Sequence, residues 1–229
     1  MKHLVRHNFS RAALTYDEFA KTQHRVATDF ADKLSGLTSP TSILEIGCGT
    51  GFLSQHLTNF NCPLLFSDLS PSMVARLNIP TRLKLALDGE HLPFQQQFDW
   101  IVSSLAFQWF EKPHLSLPIL KQHCKTLAFT TLGPNNFPEW KKFCSRHNLE
   151  DHTRSMLSTE DLKTILGPDT SIEETYYSEH HPNWLSFWNG IYKIGANTSR
   201  EHKKTPIAKS LLQQEPIICS YQVLTVISR

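Results

Sequence analysis

Seven residues, Glu45-Ile46-Gly47-Cys48-Gly49-Thr50-Gly51, constrain the fold of this 229-residue chain more than any others. They run straight out of Ser42-Ile43-Leu44-Glu45-Ile46, which reads as a short buried strand, and Phe52 to Leu57 then resumes a helical pattern. Glycines at alternate positions permit positive φ and let the backbone approach a ligand closely. A glycine loop between the carboxyl end of a first strand and the start of a helix lies where open α/β sheets bind ligands. The spacing is GxGxG, not the GxGxxG that seats a dinucleotide pyrophosphate on a helix N-terminus. No Lys-Ser/Thr pair follows, which excludes a P-loop.

The chain continues the alternation. Pro63 to Ser67 reads as a buried strand followed by Asp68, and Ser70-Pro71 is a good helix start, with Ser as N-cap and Pro at the first helical position. Arg82 to Ala86 is a weaker strand, Phe98 to Ser103 a stronger one, and Leu127 to Thr131 another. A helix is expected between the last two, over Glu111 to Lys125, confined or broken by Pro113 and Pro118. Upstream, apolar residues from Phe9 to Leu34 recur at spacings of three and four and predict one helix ending near Ser35-Gly36. Past Gly133 the rhythm changes to helices over Phe137 to His147, from Ser158 onward, and over Asn183 to Ile194, with a terminal strand over Ile217 to Ile227. Strands alternating with helices predict a parallel sheet covered on both faces. Asp68, ending the second strand, is placed to accept hydrogen bonds from two ribose hydroxyls. Asp88, in Leu87-Asp88-Gly89-Glu90 after the third strand, is placed to accept from an exocyclic adenine amine.

Composition narrows the function classes. Hydrophobic residues make up 40% of the chain, enough for a sizeable core, yet no apolar run reaches the length of a membrane span. The first residues contain no apolar stretch of signal-peptide length, so a cytoplasmic protein is expected. Lys and Arg number 23 against 21 Asp and Glu, too small an excess for a dedicated nucleic-acid binder. The 12 histidines form no HExxH, and five dispersed cysteines form no CxxC. Neither a metal site nor a disulfide framework is expected.

The glycine loop and the two downstream acids together resemble the class I S-adenosylmethionine-dependent methyltransferases. Phe9-Ser10-Arg11-Ala12-Ala13-Leu14-Thr15-Tyr16 is similar to the F-x-R-A-A-x-x-Y opening of a narrower family, the malonyl-acyl-carrier-protein O-methyltransferases of biotin synthesis. Phe98 to Trp109 resembles its F-D-x-x-x-S-N-L-A-x-Q-W segment, Leu127 to Leu132 its fifth strand, and Trp188 to Asn197 its lid helix. Ser104 stands where that family usually carries Asn, and His123-Cys124-Lys125-Thr126 replaces its Pro-Lys-Gly turn.

The resemblance implies an α/β, doubly wound, mostly parallel seven-stranded sheet of Rossmann-like type. It implies an N-terminal lid helix (1–36), a cofactor-binding core (40–133), a helical lid and substrate region (134–215) and a terminal strand (216–229). S-adenosylmethionine is the implied methyl donor, held by Glu45, Gly47, Cys48, Gly49, Gly51, Asp68, Leu69, Asp88, Gly89 and Ser104. Gln108, Trp109, Trp188 and Tyr192 are the implied substrate contacts, with Tyr16 and Arg11 orienting the reacting group. The implied partner is malonyl-acyl carrier protein, or malonyl-coenzyme A, with no nucleic acid, membrane or metal involved.

The implied reaction methylates a free carboxylate. Such a group is already ionised at neutral pH and needs no general base. Its burial calls for a cationic partner, for which Arg11, Arg154 and Arg200 are candidates. Lys141-Lys142 with Arg146, and Lys203-Lys204 with Arg200, are candidate docking patches for an acidic carrier protein. Two other readings share the core: a related methyltransferase acting on a small acid or quinone precursor, and a non-catalytic binding protein.

Overall fold

The computed structural model describes residues 1–80, 83–93, 95–197 and 207–229. Its centre is five parallel strands: β1 (Ile43–Ile46), β2 (Leu64–Asp68), β3 (Lys84–Ala86), β4 (Phe98–Ser104) and β5 (Cys124–Leu132). Two longer strands, β6 (Ser171–His181) and β7 (Ile217–Ser228), complete a seven-stranded sheet in the order β3-β2-β1-β4-β5-β7-β6. β7 runs antiparallel to both its neighbours. The chain winds one way from β1 through β2 to β3 and the other way from β4, so the switch point falls between β1 and β4.

Side chains of period two cover both faces of this sheet. Ile43, Trp100, Val102 and Ala128 meet Ala27, Phe30, Ala31 and Leu34 of α3 (Lys21–Ser35) on one face. Leu44, Ile46, Ile101, Leu127 and Phe129 meet α6 (Pro113–Gln122) and α8 (Thr159–Leu166) on the other. Burial on both faces is why these strands read as continuous apolar runs. Short helices α4 (Ser54–Leu57) and α5 (Pro71–Arg76) follow β1 and β2. Ser70 caps α5 by accepting from the Met73 amide at 3.2 Å, and α8 starts with a complete capping box between Ser158 and Asp161. A third cluster joins α7 (Pro138–Arg146) and α9 (Trp184–Lys193) over β6 and β7, through Trp140, Trp184, Phe187 and Tyr221. A four-residue helix, α10 (Lys209–Leu212), precedes β7.

Three local expectations are corrected. The single N-terminal helix is divided into α1 (Lys2–Ala12), α2 (Tyr16–Phe19) and α3. The Thr15 amide closes the turn on the Ala12 carbonyl at 2.9 Å while its hydroxyl binds the Lys193 carbonyl at 3.1 Å. That break lets α1 fold against α5 while α3 packs on the sheet. The helix expected to reach Lys125 ends at Gln122, because Cys124 already pairs with Phe98 at the start of β5. The region 134–215, expected to be helical, contains β6, an 11-residue edge strand paired with β7 from Ser171↔Ile227 to His181↔Ile217. Arg82, Arg200, Lys203 and Lys204 lie outside the described residues.

Candidate active site

The carboxyl ends of β1 to β4 converge on one cleft. Gly47 and Gly49 follow β1, Asp68 and Leu69 end and follow β2, Asp88 and Gly89 follow β3, and Ser104 ends β4; all seven line it. Gly47 adopts φ +76°, and a Cβ there would fall 2.3 Å from the Ala106 Cβ, so only glycine allows the loop to pass. Gly49 adopts φ +55°, and a Cβ there would meet nothing within 4 Å, projecting into open space above the loop. The loop is therefore a cradle that a side chain would fill.

Asp68 holds that cradle together. One carboxylate oxygen accepts from the Gly49 amide at 3.0 Å and the other from the Ser70 amide at 2.7 Å. Burial pushes its carboxyl up to about 6, against the two amide hydrogen bonds, which pull it down. Each oxygen retains a lone pair for a ligand hydroxyl. Asp88 is drawn into an ion pair: Lys2 Nζ of α1 lies 2.5 Å from its carboxylate and 2.8 Å from that of Glu90. Burial alone would raise Asp88, but hydrogen bonds from Lys2, the Glu90 amide and His91 together hold it below the ordinary range. Ser104 Oγ lies 3.3 Å from Thr130 Oγ1.

The other residues expected around the cofactor sit just behind the cleft. Glu45 points to the α3 side of the sheet, where its carboxylate accepts from Ser54 Oγ at 2.6 Å; burial pushes its carboxyl up to about 8. The Cys48 amide donates to the Ser67 carbonyl at 2.9 Å, and its thiol is buried. Gly51 packs against Leu77.

A second, larger cavity of about 430 Å³ adjoins the cleft beneath α1 and α9. Phe9, Tyr16, Leu105 and Trp109 line both spaces and form the window between them. Phe9 meets the Trp109 ring edge-on at 5.5 Å and the Tyr16 ring at 6.4 Å. Burial, with the charges of Asp68 and Asp17, pushes the Tyr16 phenol well up, so it stays protonated. Gln108 lines the cavity, with its amide donating to the Leu105 carbonyl at 2.6 Å. Trp188 is part of the wall, whereas Tyr192 is half exposed on the outer side of α9. Arg11 lies outside with it, its guanidinium 4.0 Å from the Tyr192 ring centroid.

Sequence patterns do not single out several of the cavity's residues. Leu105 is held at φ +49°, its amide donating to both the carbonyl and hydroxyl oxygens of Thr130. A leucine in the left-handed region is strained, and here the strain lies at the window. Phe137, also left-handed, and Trp140 line the cavity from the start of α7. No residue-type signal marks either conformation. Among the described residues no group of three His, Cys, Asp or Glu side chains is placed to hold a metal ion, and no helix is long and apolar enough to cross a membrane.

Comparison with known proteins agrees with this geometry. A family model described as a methyltransferase domain matches residues 44–126, spanning the glycine loop, both acids and β4. The malonyl-[acyl-carrier protein] O-methyltransferase of Magnetococcus marinus is 33% identical over 90% of this chain and 82% of its own. The biotin biosynthesis bifunctional protein BioCD of Bordetella avium is 34% identical over 84% of this chain and 43% of its own. Among solved structures, the YcgJ protein of Bacillus subtilis shares the fold at TM-score 0.61 and 13% identity, covering 90% of this chain and 99% of that one. The cradle, the paired acids and the adjoining cavity thus stand in a chain that belongs to the malonyl-[acyl-carrier protein] O-methyltransferase family.

Proposed function

We propose that this protein methylates the free carboxylate of a malonyl thioester carried on acyl carrier protein, producing the methyl ester that starts the pimeloyl moiety of biotin. The observation that carries this reading is the window of Phe9, Tyr16, Leu105 and Trp109, through which a nucleoside cleft opens onto a mostly apolar cavity. S-adenosylmethionine supplies a methyl group whose sulfonium leaves as a neutral thioether. The protein's own task is to bind, align and keep water out.

The window suits an acceptor that is already an anion. Tyr16 is its one titratable side chain, and a phenol held protonated can donate a hydrogen bond but cannot serve as a base. A carboxylate needs no base, whereas an alcohol or amine acceptor would. The apolar walls, Trp188 and Phe137 among them, suit a pantetheine arm and exclude competing water. The thioester is carried by acyl carrier protein or by coenzyme A, in the cytoplasm, with neither nucleic acid nor membrane as partner.

The test is mass spectrometry of malonyl-acyl carrier protein after incubation with the protein and S-adenosylmethionine. One methyl group should be gained, lost again on ester hydrolysis, and absent when acetyl-carrier protein is used. No gain from a preparation that binds S-adenosylhomocysteine would overturn the assignment.

A further inference from the structure

Three basic side chains border the 430 Å³ cavity among the described residues: Lys141, His152 and Arg154. Lys141 Nζ donates to the Pro134 carbonyl at 2.6 Å, and His152 Nε2 lies 3.5 Å from Glu150. Arg154 differs in being anchored on the window itself. Its Nη2 donates to the Phe110 carbonyl at 2.8 Å, its Nη1 donates to Met1 Sδ at 3.4 Å, a weak acceptor that a carboxylate would displace, and its guanidinium carbon lies 5.8 Å from the centroid of the Trp109 ring. Both Phe110 and Trp109 also line the cofactor cleft. Arg154 thus brings a permanent positive charge to the part of the cavity that adjoins the cleft.

We propose that Arg154 is the acceptor-binding residue of this site, receiving the free carboxylate of the acyl group and selecting for it. This rests on the carboxyl-methylation reading above. A carboxylate entering a cavity walled by aromatic rings loses its water, and that loss is unfavourable unless a charged donor replaces it. A guanidinium stays protonated at any working pH, and its planar N–H groups match two carboxylate oxygens. The Phe110 hydrogen bond fixes the plane in which those groups lie. Each carboxylate oxygen has two lone pairs, so one taken by an N–H leaves another to attack carbon. In the transfer the O–CH₃ bond forms as the S–CH₃ bond breaks, and the carboxylate charge and the sulfonium charge disappear together. The product ester has no charge to offer Arg154, so the contact that captures the substrate weakens when methylation is complete. One residue therefore favours substrate entry and product departure. Arg11 is stacked on Tyr192 and does not line the cavity.

The experiment compares wild type, Arg154→Ala and Arg154→Lys, each loaded with S-adenosylhomocysteine. Affinity for malonyl-carrier protein and for acetyl-carrier protein is measured by calorimetry, alongside kcat and KM for malonyl-carrier protein. Wild type should prefer the malonyl form. Arg154→Ala should lose about thirtyfold or more in malonyl affinity, with KM rising in step. Its affinity for acetyl-carrier protein and for S-adenosylhomocysteine should be unchanged, and Arg154→Lys should recover part of the loss. A wild-type malonyl preference that survives in Arg154→Ala overturns the proposal. So does a loss of S-adenosylhomocysteine affinity that tracks the malonyl loss in both variants, since that marks a structural role. If wild type binds the malonyl form selectively but transfers no methyl group, the carboxyl-methylation reading fails, and the same affinity ratio still decides the role of Arg154.

Discussion

The Asp68 carboxylate clasps two backbone amides at the lip of the cleft, and those hydrogen bonds favour its ionised form while burial opposes it. Asp68 holds the Gly49 and Ser70 amides, and it faces a cleft in which ribose hydroxyls would donate to the same oxygens. Hydroxyl donation requires the ionised form, while burial has raised the group to about 6. Below that pH, binding must first expel a proton. S-adenosylhomocysteine affinity should therefore be flat above about pH 7 and fall below pH 6, approaching tenfold per pH unit as for one linked proton. Asp68→Asn should weaken binding by about ten- to a hundredfold, the range for hydrogen bonds to a charged group, and abolish that pH dependence. Calorimetry between pH 5 and 8 measures both; an unchanged pH profile in Asp68→Asn would show that another group titrates. The place of Asp68 at the end of β2, beside the glycine loop, was legible from the sequence, whereas its clasp on the Gly49 and Ser70 amides was not. Leu105 was not legible either, since its role depends on a left-handed backbone that leucine does nothing to advertise.

Helix α1 covers the cofactor cleft, and its contacts are those of a latch. Lys2 bridges Asp88 and Glu90, Ser10 Oγ meets Ser70 Oγ at 2.8 Å, and Phe9 packs on Trp109. With α1 in place the cleft measures about 100 Å³, below the several hundred typical of pockets for ligands of nucleoside size. If α1 must move for S-adenosylmethionine to enter, the Lys2 ion pairs should oppose that movement. Lys2→Met should raise both the association and dissociation rates of S-adenosylhomocysteine severalfold, read by stopped-flow fluorescence. An unchanged association rate would show that α1 does not gate the cleft. The helical character of this segment was readable from its apolar spacing, but its division was not. Thr15 ends α1 by bonding to Lys193, a residue far away in sequence that no local pattern reveals. β6 escaped notice for a related reason. As an edge strand it buries only Tyr177 along its 11 residues and exposes Glu173, Glu174 and Glu179's neighbours His180 and Ser178 to differing degrees, so it has no period-two apolar signature. Its strand state comes from pairing with β7.

The whole sheet determines what becomes of Glu45. β1 is an interior strand next to the central β4, buried on both faces, with all four of its residues inside. The type of this element was evident from its apolar run, but the side each residue faces follows from strand parity and from what packs there. Parity puts Glu45 on the α3 face with Ile43, next to Ser54 of α4, rather than in the cleft that begins one turn of backbone later. Burial, opposed by the Ser54 hydrogen bond and reinforced by Asp68, raises its carboxyl to about 8, so it is largely neutral at pH 7. Its ordinary value in the unfolded chain is 4.5. Between these values the native state holds a proton that the unfolded chain has released, so this group's contribution to stability falls as pH rises from about 4.5 to 8 and is level outside that window. Glu45→Gln keeps the shape and the acceptor for Ser54 but cannot ionise. Its melting temperature should match wild type near pH 4.5 and exceed it by several degrees at pH 8, with the gap widening steadily between. S-adenosylhomocysteine affinity at pH 7 should be unchanged, in contrast to Asp68→Asn. A variant whose melting temperature differs from wild type by the same amount at pH 4.5 and 8 would show that Glu45 is ionised within the folded sheet, and a loss of affinity would place its carboxyl in the service of the cleft rather than of the core.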